Sequence, residues 1–169
     1  MSANISSINY CPVKSVSFQT IENCEIKKDI GIVSDRIFAF AKDLDQEQAK
    51  LFEKSPDDRK GKWNKVLTLK NSPVLNKYNF IYKDEKLTLT LKDKEIFTID
   101  VNQSEEREAL SNKISELESS LKQPITLMKN NEFPFFDTSI SNKENFVNSD
   151  SLINIQSTVS YTQLRAHET

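Results

Sequence analysis

Between Tyr78 and Val101 the chain alternates apolar and polar residues with a period of two, and this stretch constrains the fold more than any other. Successive strand residues point to opposite faces, so Leu87, Leu89 and Leu91 fall on one face with Phe97, Ile99 and Val101. Thr88, Thr90, Thr98 and Asp100 fall on the other. The links Lys83-Asp84-Glu85 and Lys92-Asp93-Lys94 are of hairpin length. With Tyr78-Asn79-Phe80-Ile81-Tyr82 in front, the pattern predicts an antiparallel meander with one wet face.

Further strands are predicted at Ile5 to Tyr10, ended by Cys11-Pro12 because proline cannot donate to a ladder, at Val16 to Ile26, at Val66 to Leu69 and at Ile125 to Met128. The run Arg36-Ile37-Phe38-Ala39-Phe40-Ala41 is apolar at odd and even positions alike, which predicts a strand buried on both faces. Gly31 is the natural bend before it, since glycine reaches positive φ without a steric cost. Leu44 to Lys65 is charged, holds Ser55-Pro56-Asp57-Asp58 and reads as a long loop with at most one short strand. One helix is predicted, over residues 104 to 122. Ser104 opens it, Glu105 and Glu106 favour its positive end, and Leu110, Ile114, Leu117 and Leu121 make a narrow apolar stripe directed at the sheet. Pro124 closes it. The fold class expected is therefore mainly β: an antiparallel barrel from residues 3 to 101 with one covering helix.

Composition narrows the chemistry. The 169 residues contain only two glycines, Gly31 and Gly61, so neither a phosphate-cradling Walker loop nor the G-x-G-x-x-G dinucleotide fingerprint can be written here. The single histidine, His167, lies three positions before the end of the sequence, which leaves the body without an imidazole for a triad or a histidine-ligated zinc. Acids outnumber bases 25 to 23, so no global positive field draws in nucleic acid. Cys11 and Cys24 lack C-x-x-C spacing and are read as two reduced, partly buried thiols. With no basic and apolar leader and no run long enough to span a bilayer, a cytoplasmic location without a membrane partner is expected.

Three segments together resemble a known family. Ile5-Ser6-Ser7-Ile8-Asn9-Tyr10-Cys11-Pro12-Val13-Lys14-Ser15 is similar to the N-terminal signature of proteins with a MOSC domain, in which a strand runs into Pro-Val-Lys-Ser. Gly31-Ile32-Val33-Ser34-Asp35-Arg36 resembles the Gly-Leu-x-x-Asp-Arg element that follows it. Phe136-Asp137 and Ser151 to Ser157 look like the entry into the MOSC domain proper. The resemblance implies a small β-barrel over residues 1 to 129, then a linker and the first strand of a truncated MOSC domain over residues 130 to 158. Residues 159 to 169, VSYTQLRAHET, resemble a translated sequencing-library adapter, which would leave Arg165 and His167 without a role.

In that family the lysine and serine of Pro-Val-Lys-Ser and the arginine of Asp-Arg hold molybdopterin, largely by its phosphate. Carried over, the contacts are Lys14, Ser15 and Arg36: a compact charge, a hydroxyl and a flat fork of donors. Ser149 is a fourth candidate, at the place where a Thr-Ser pair touches the cofactor in the amidoxime-reducing branch; a capping or turn serine is the rival reading. Taken without the resemblance, Lys14 reads as an exposed strand-end lysine and Arg36 as a partner of Asp35. Glu53-Lys54-Ser55-Pro56 lacks the arginine that relatives carry before the corresponding proline. The family's molybdenum-ligating cysteine belongs to the later part of the MOSC domain, so no catalytic or metal-ligating residue is assigned, and Cys11 and Cys24 do not replace it. Pyridoxal phosphate is not expected in this segment.

The function implied for an intact relative is two-electron reduction of N-hydroxylated compounds at molybdenum, with electrons from a separate flavin or haem protein; a truncated chain would be inactive alone. Sulfur transfer to the cofactor is the alternative within the family. A non-catalytic, OB-like binding barrel is the alternative outside it, although Trp63, Tyr78, Phe80 and Tyr82 have no basic interleaving beyond Lys77 and Lys83.

Overall fold

A computed structural model describes residues 5–27, 30–44, 46–55, 57–59, 62–121 and 124–135. In chain order its strands are β1 (Ile8–Tyr10), β2 (Gln19–Ile21), β3 (Ile26–Lys27), β4 (Gly31–Ile32), β5 (Phe38–Lys42), β6 (Tyr78–Lys83), β7 (Lys86–Leu91), β8 (Lys94–Asp100) and β9 (Ile125–Lys129). Helix α1 (Gln46–Lys54) follows β5, and α2 (Ser104–Leu117) follows β8.

β6, β7 and β8 form the antiparallel meander that the alternation predicts. Leu89 lies opposite Phe80 on one side and Phe97 on the other, and Leu87 opposite Tyr82 and Ile99. The pairing then steps from Leu89–Phe97 to Thr90–Glu95, so Ile96 is the extra residue of a bulge. That is why Ile96 and Phe97 can both be apolar in an alternating strand. On the polar face the hydroxyls of Thr88 and Thr98 meet at 2.8 Å. Both hairpin turns are built without glycine: Asp84 and Glu85 have φ of 51° and 57°, Lys92 and Asp93 of 49° and 63°. Two left-handed central residues are what the right-handed twist of a two-residue hairpin requires.

β5 is buried on both faces because it separates two cores. Phe38 and Phe40 face the larger one, with Phe80, Leu87, Leu89, Ile99, Leu110 and Ile114. Ala39 and Ala41 face a smaller one with Ala49, Phe52, Val66, Met128 and Phe135. β9 pairs antiparallel with β5 and divides its side chains in the same way, Leu127 to the first core and Met128 to the second. Its other edge is closed by side chains: Ser111 Oγ of α2 accepts from the Leu127 amide at 3.0 Å, and Glu53 Oε1 of α1 accepts from the Lys129 amide at 2.8 Å. Otherwise orphaned strand donors are thus satisfied from both helices.

The fold corrects several expectations. Leu44 to Lys65 is not a loop, since α1 and two 3₁₀ turns, Asp57–Arg59 and Trp63–Lys65, occupy most of it. Among the described side chains of α1 only Ala49 and Phe52 are buried, too few to make an apolar stripe in the sequence. The stripe of α2 is displaced: Leu110, Ser111 and Ile114 are buried and Leu121 packs on the core, but Leu117 is 38% exposed. Ser111 takes an inner position because it serves the β9 edge. α2 ends at Leu117, seven positions before Pro124, and its N-cap is Gln103 rather than Ser104. Val66 makes a single bridge to Ala41 instead of a strand, and the stretch from Val16 to Ile26 supplies only β2 and the start of β3.

Among the described residues the sheets are three two-stranded ribbons and the three-stranded meander, and none closes into a barrel. Segments between the strands are tied to them by backbone contacts: Val13 bridges Phe38 in parallel, the Leu67 amide donates to the Phe40 carbonyl at 2.8 Å, and the Ser17 amide to the Tyr78 carbonyl at 3.1 Å. The packed unit runs past residue 129, for Asn130, Pro134 and Phe135 are buried. No helix among the described residues is long and apolar enough to cross a membrane.

Candidate anion site

Two segments distant in sequence run side by side in a short parallel ladder. The Arg36 amide donates to the Cys11 carbonyl at 2.7 Å, the Phe38 amide to Pro12 at 3.0 Å, and the Lys14 amide to Phe38 at 2.8 Å. The Pro-Val-Lys-Ser and Asp-Arg elements therefore share one edge of β5. The entry of the first is fixed by Asp35, a carboxylate 6% exposed, whose Oδ1 accepts from the Cys11 amide at 2.9 Å and whose Oδ2 accepts from Arg36 Nη1 at 2.7 Å. Burial raises the Asp35 pKa, against the opposing pull of the Arg36 guanidinium and the Cys11 amide. Burial, then the nearby Asp35 charge, pushes the Cys11 thiol up to about 11. Its Sγ donates to the Val13 carbonyl at 2.7 Å, so Cys11 is a tether of the turn and a poor nucleophile.

The turns on both sides are strained. Ser15, Ser34 and Arg36 have φ of 66°, 67° and 52°. A left-handed conformation costs a non-glycine residue about 1 kcal/mol or more, and the hairpin turns at Asp84-Glu85 and Lys92-Asp93 adopt it too. Gly31, at φ 87°, takes the bend expected of it.

Lys14 is only 3% exposed, not the solvated lysine of the bland reading, and its Nζ lies 5.8 Å from the centre of the Trp63 ring. Arg36 pairs with Asp35, as its bland reading expects, and its guanidinium carbon lies 5.5 Å from the Phe18 ring. The backbones of Lys14, Ser15 and Arg36 are thus brought together, while the two cationic tips rest on different aromatic rings. Ser149, Phe136-Asp137, Ser151 to Ser157 and the 159 to 169 tail lie outside the described residues.

An ammonium, a hydroxyl and a guanidinium thus stem from adjoining backbone segments, with the Asp35 carboxylate beside Arg36. An open cleft of about 550 Å³ adjoins this region at Tyr10 and Ser34. Glu25, Asp84 and Glu85 line it against Lys83 alone, with Tyr10, Cys24 and Ser34, so its charge opposes an anion. No group of three histidine, cysteine or carboxylate side chains among the described residues is arranged to hold a metal ion.

Arg59 is a feature that sequence reading missed. In the run Asp57-Asp58-Arg59-Lys60 it reads as solvent-facing, yet it is wholly buried. Its Nε donates to the Phe52 carbonyl at 2.7 Å, its Nη1 to Phe133 at 2.8 Å and Pro134 at 3.3 Å, and its guanidinium carbon stands 4.0 Å from the Phe135 ring. Nη2 has no hydrogen-bond partner among the described residues. Desolvation lowers its pKa to about 10, against the opposing effect of the Glu53 charge. No local signal marks it, because the carbonyls of Phe133 and Pro134 that hold it are 74 and 75 positions away.

The chain matches no protein-family profile, no curated protein sequence and no solved structure.

Proposed function

We propose that this chain is the N-terminal part of a MOSC-type molybdenum-cofactor protein and that Lys14, Ser15 and Arg36 bind the phosphate of molybdopterin. The observation that carries this reading is the parallel ladder between Cys11–Lys14 and Arg36–Phe38, which sets the two family-like elements edge to edge with Ser15 and Arg36 both left-handed. On this reading the ribbons and the meander are sectors of one barrel wall. The bridges Val13–Phe38 and Ala41–Val66, which extend the pairing of β5 to two segments outside the named strands, support it.

The protein's share of the work is to bind and orient. Lys14 supplies a point charge from a buried stem, Arg36 a planar donor fork held at one corner by Asp35, and Ser15 a hydroxyl presented by a tight turn. Bound, the cofactor supplies a molybdenum centre able to exchange two electrons with an N-hydroxylated substrate. The electrons come from a separate flavin or haem protein in the cytoplasm.

The test is cofactor retention. Lys14→Ala and Arg36→Ala in the full chain should each lower the molybdopterin content of protein purified from a cofactor-producing host by about tenfold or more, since a charge-assisted hydrogen bond contributes roughly 1.5 to 3 kcal/mol. Pterin released and oxidised to its fluorescent form gives the readout. Equal content in wild type and both variants would remove the assignment.

A further inference from the structure

Both cationic residues of the anion site depend on the smaller core. Lys14 lies over Trp63, which packs against that core, and the Arg36 carbonyl accepts from the amide of Phe135, which is part of it, at 2.8 Å. Arg59 joins the two sides of this cluster. It binds the Phe52 carbonyl near the end of α1, two carbonyls of the segment leaving β9, and the face of Phe135. Asn130 adds to the same clasp, accepting from the Glu132 and Phe133 amides at 2.8 and 2.7 Å and donating to the Glu53 carbonyl.

A buried guanidinium is an expensive way to fill space, because an apolar residue of similar volume avoids the desolvation cost. What a guanidinium offers instead is a rigid fork that fixes several carbonyls in one plane. Here two of the three carbonyls belong to one segment, 74 and 75 positions away, immediately before the residue whose amide holds Arg36. Arg36 is left-handed, so its peptide carries strain that the hydrogen bond from Phe135 helps to hold.

We infer that Arg59 is a positioning residue for the anion site, holding Phe133 to Phe135 so that the Phe135 amide locks the Arg36 peptide and the Phe52–Trp63–Phe135 cluster supports Lys14. This rests on the reading of Lys14, Ser15 and Arg36 as an anion site. Arg59 touches no ligand in this role; it acts through Phe135 and Arg36.

The experiment titrates inorganic phosphate into the isotopically labelled full chain and follows shifts at Lys14 and Arg36, together with hydrogen exchange at the Phe135 amide. Arg59→Lys keeps the charge and loses the fork, and Arg59→Met serves as the apolar comparison. In Arg59→Lys the dissociation constant should rise about fivefold or more and Phe135 exchange should accelerate about tenfold or more, as for loss of a local clasp. Ile114→Val, a core change in the larger cluster, should leave the phosphate constant unchanged. Either readout unaltered in Arg59→Lys overturns the inference. If wild type binds phosphate and Lys14→Ala and Arg36→Ala abolish it, such a result counts against Arg59 alone. If wild-type Lys14 and Arg36 show no response to phosphate, the anion-site reading itself fails and this inference falls with it.

Discussion

The carboxylate of Asp35 accepts a hydrogen bond from the amide of Cys11 across 24 positions of sequence, at 2.9 Å, while its other oxygen holds Arg36 at 2.7 Å. One buried acid therefore fixes both the start of the Pro-Val-Lys-Ser turn and the side chain of the arginine beside it.

Removing Arg36 leaves that acid buried without its counter-charge. Arg36→Ala should destabilise the fold by about 2 to 3 kcal/mol, less than for a fully buried pair because Arg36 itself is partly exposed. Asp35→Asn in the same background should recover part of the loss. The pH dependence has a defined sign. The Asp35 pKa is raised in the fold and would rise further without Arg36. Its contribution to stability is then present below the unfolded carboxylate range and lost as pH rises through the folded value. Urea midpoints should show the deficit of Arg36→Ala at pH 7 shrinking as pH approaches about 4.

Cys11 gives the fold an alkaline weakness. Its pKa is raised from 9.0 to about 11, so the stability associated with the neutral thiol is intact below pH 9.0 and lost as pH rises toward 11. A two-unit shift corresponds to about 2 to 3 kcal/mol. Cys11→Ala should flatten the fall in urea midpoint between pH 8 and 10, a window chosen below most tyrosine ionisation. A thiol reagent at pH 8 should modify Cys24 rapidly and Cys11 only as fast as the protein opens; equal rates would contradict the burial of Cys11.

The inner face of α2 separates two neighbouring apolar residues. Ile114→Ala should cost about 2 to 5 kcal/mol, whereas Leu117→Ala should cost less than about 1 kcal/mol because Leu117 meets solvent. Ser111→Ala should cost about 1 to 3 kcal/mol by leaving the Leu127 amide without an acceptor. Chemical denaturation of the three variants checks the order, and a Leu117 effect as large as that of Ile114 would contradict the register of the helix.

The turn at Lys92-Asp93 holds two left-handed residues without glycine. Rewriting it as Asn-Gly by Lys92→Asn and Asp93→Gly should stabilise the hairpin by about 0.5 to 1 kcal/mol, seen as a rise in Tm. A fall in Tm would show that the side chains replaced contribute more than the backbone strain removed.

Sequence alone determined the parts of this protein that depend on local periodicity. The alternation from Tyr78 to Val101 is enough for a meander, because strand side chains have only two directions to choose between. The unbroken apolar run around Phe38 to Ala41 is enough for a strand between two cores. That the backbones around Lys14 and Arg36 run side by side is carried by no local signal, since 21 residues lie between them; the tertiary structure sets those backbones together and rests the two cationic tips on different rings. Only the tertiary structure decided which polar residues are interior. Ser111 and Glu53 turn inward to satisfy the amides of Leu127 and Lys129, and Arg59 is buried because the carbonyl of Phe52, seven positions away, meets one of a remote segment there. A composition of charged residues looks the same whether the partner is water or a backbone group brought close by folding. For that reason α1 read as a loop, Leu117 read as core, and Arg59 was not read as part of any site.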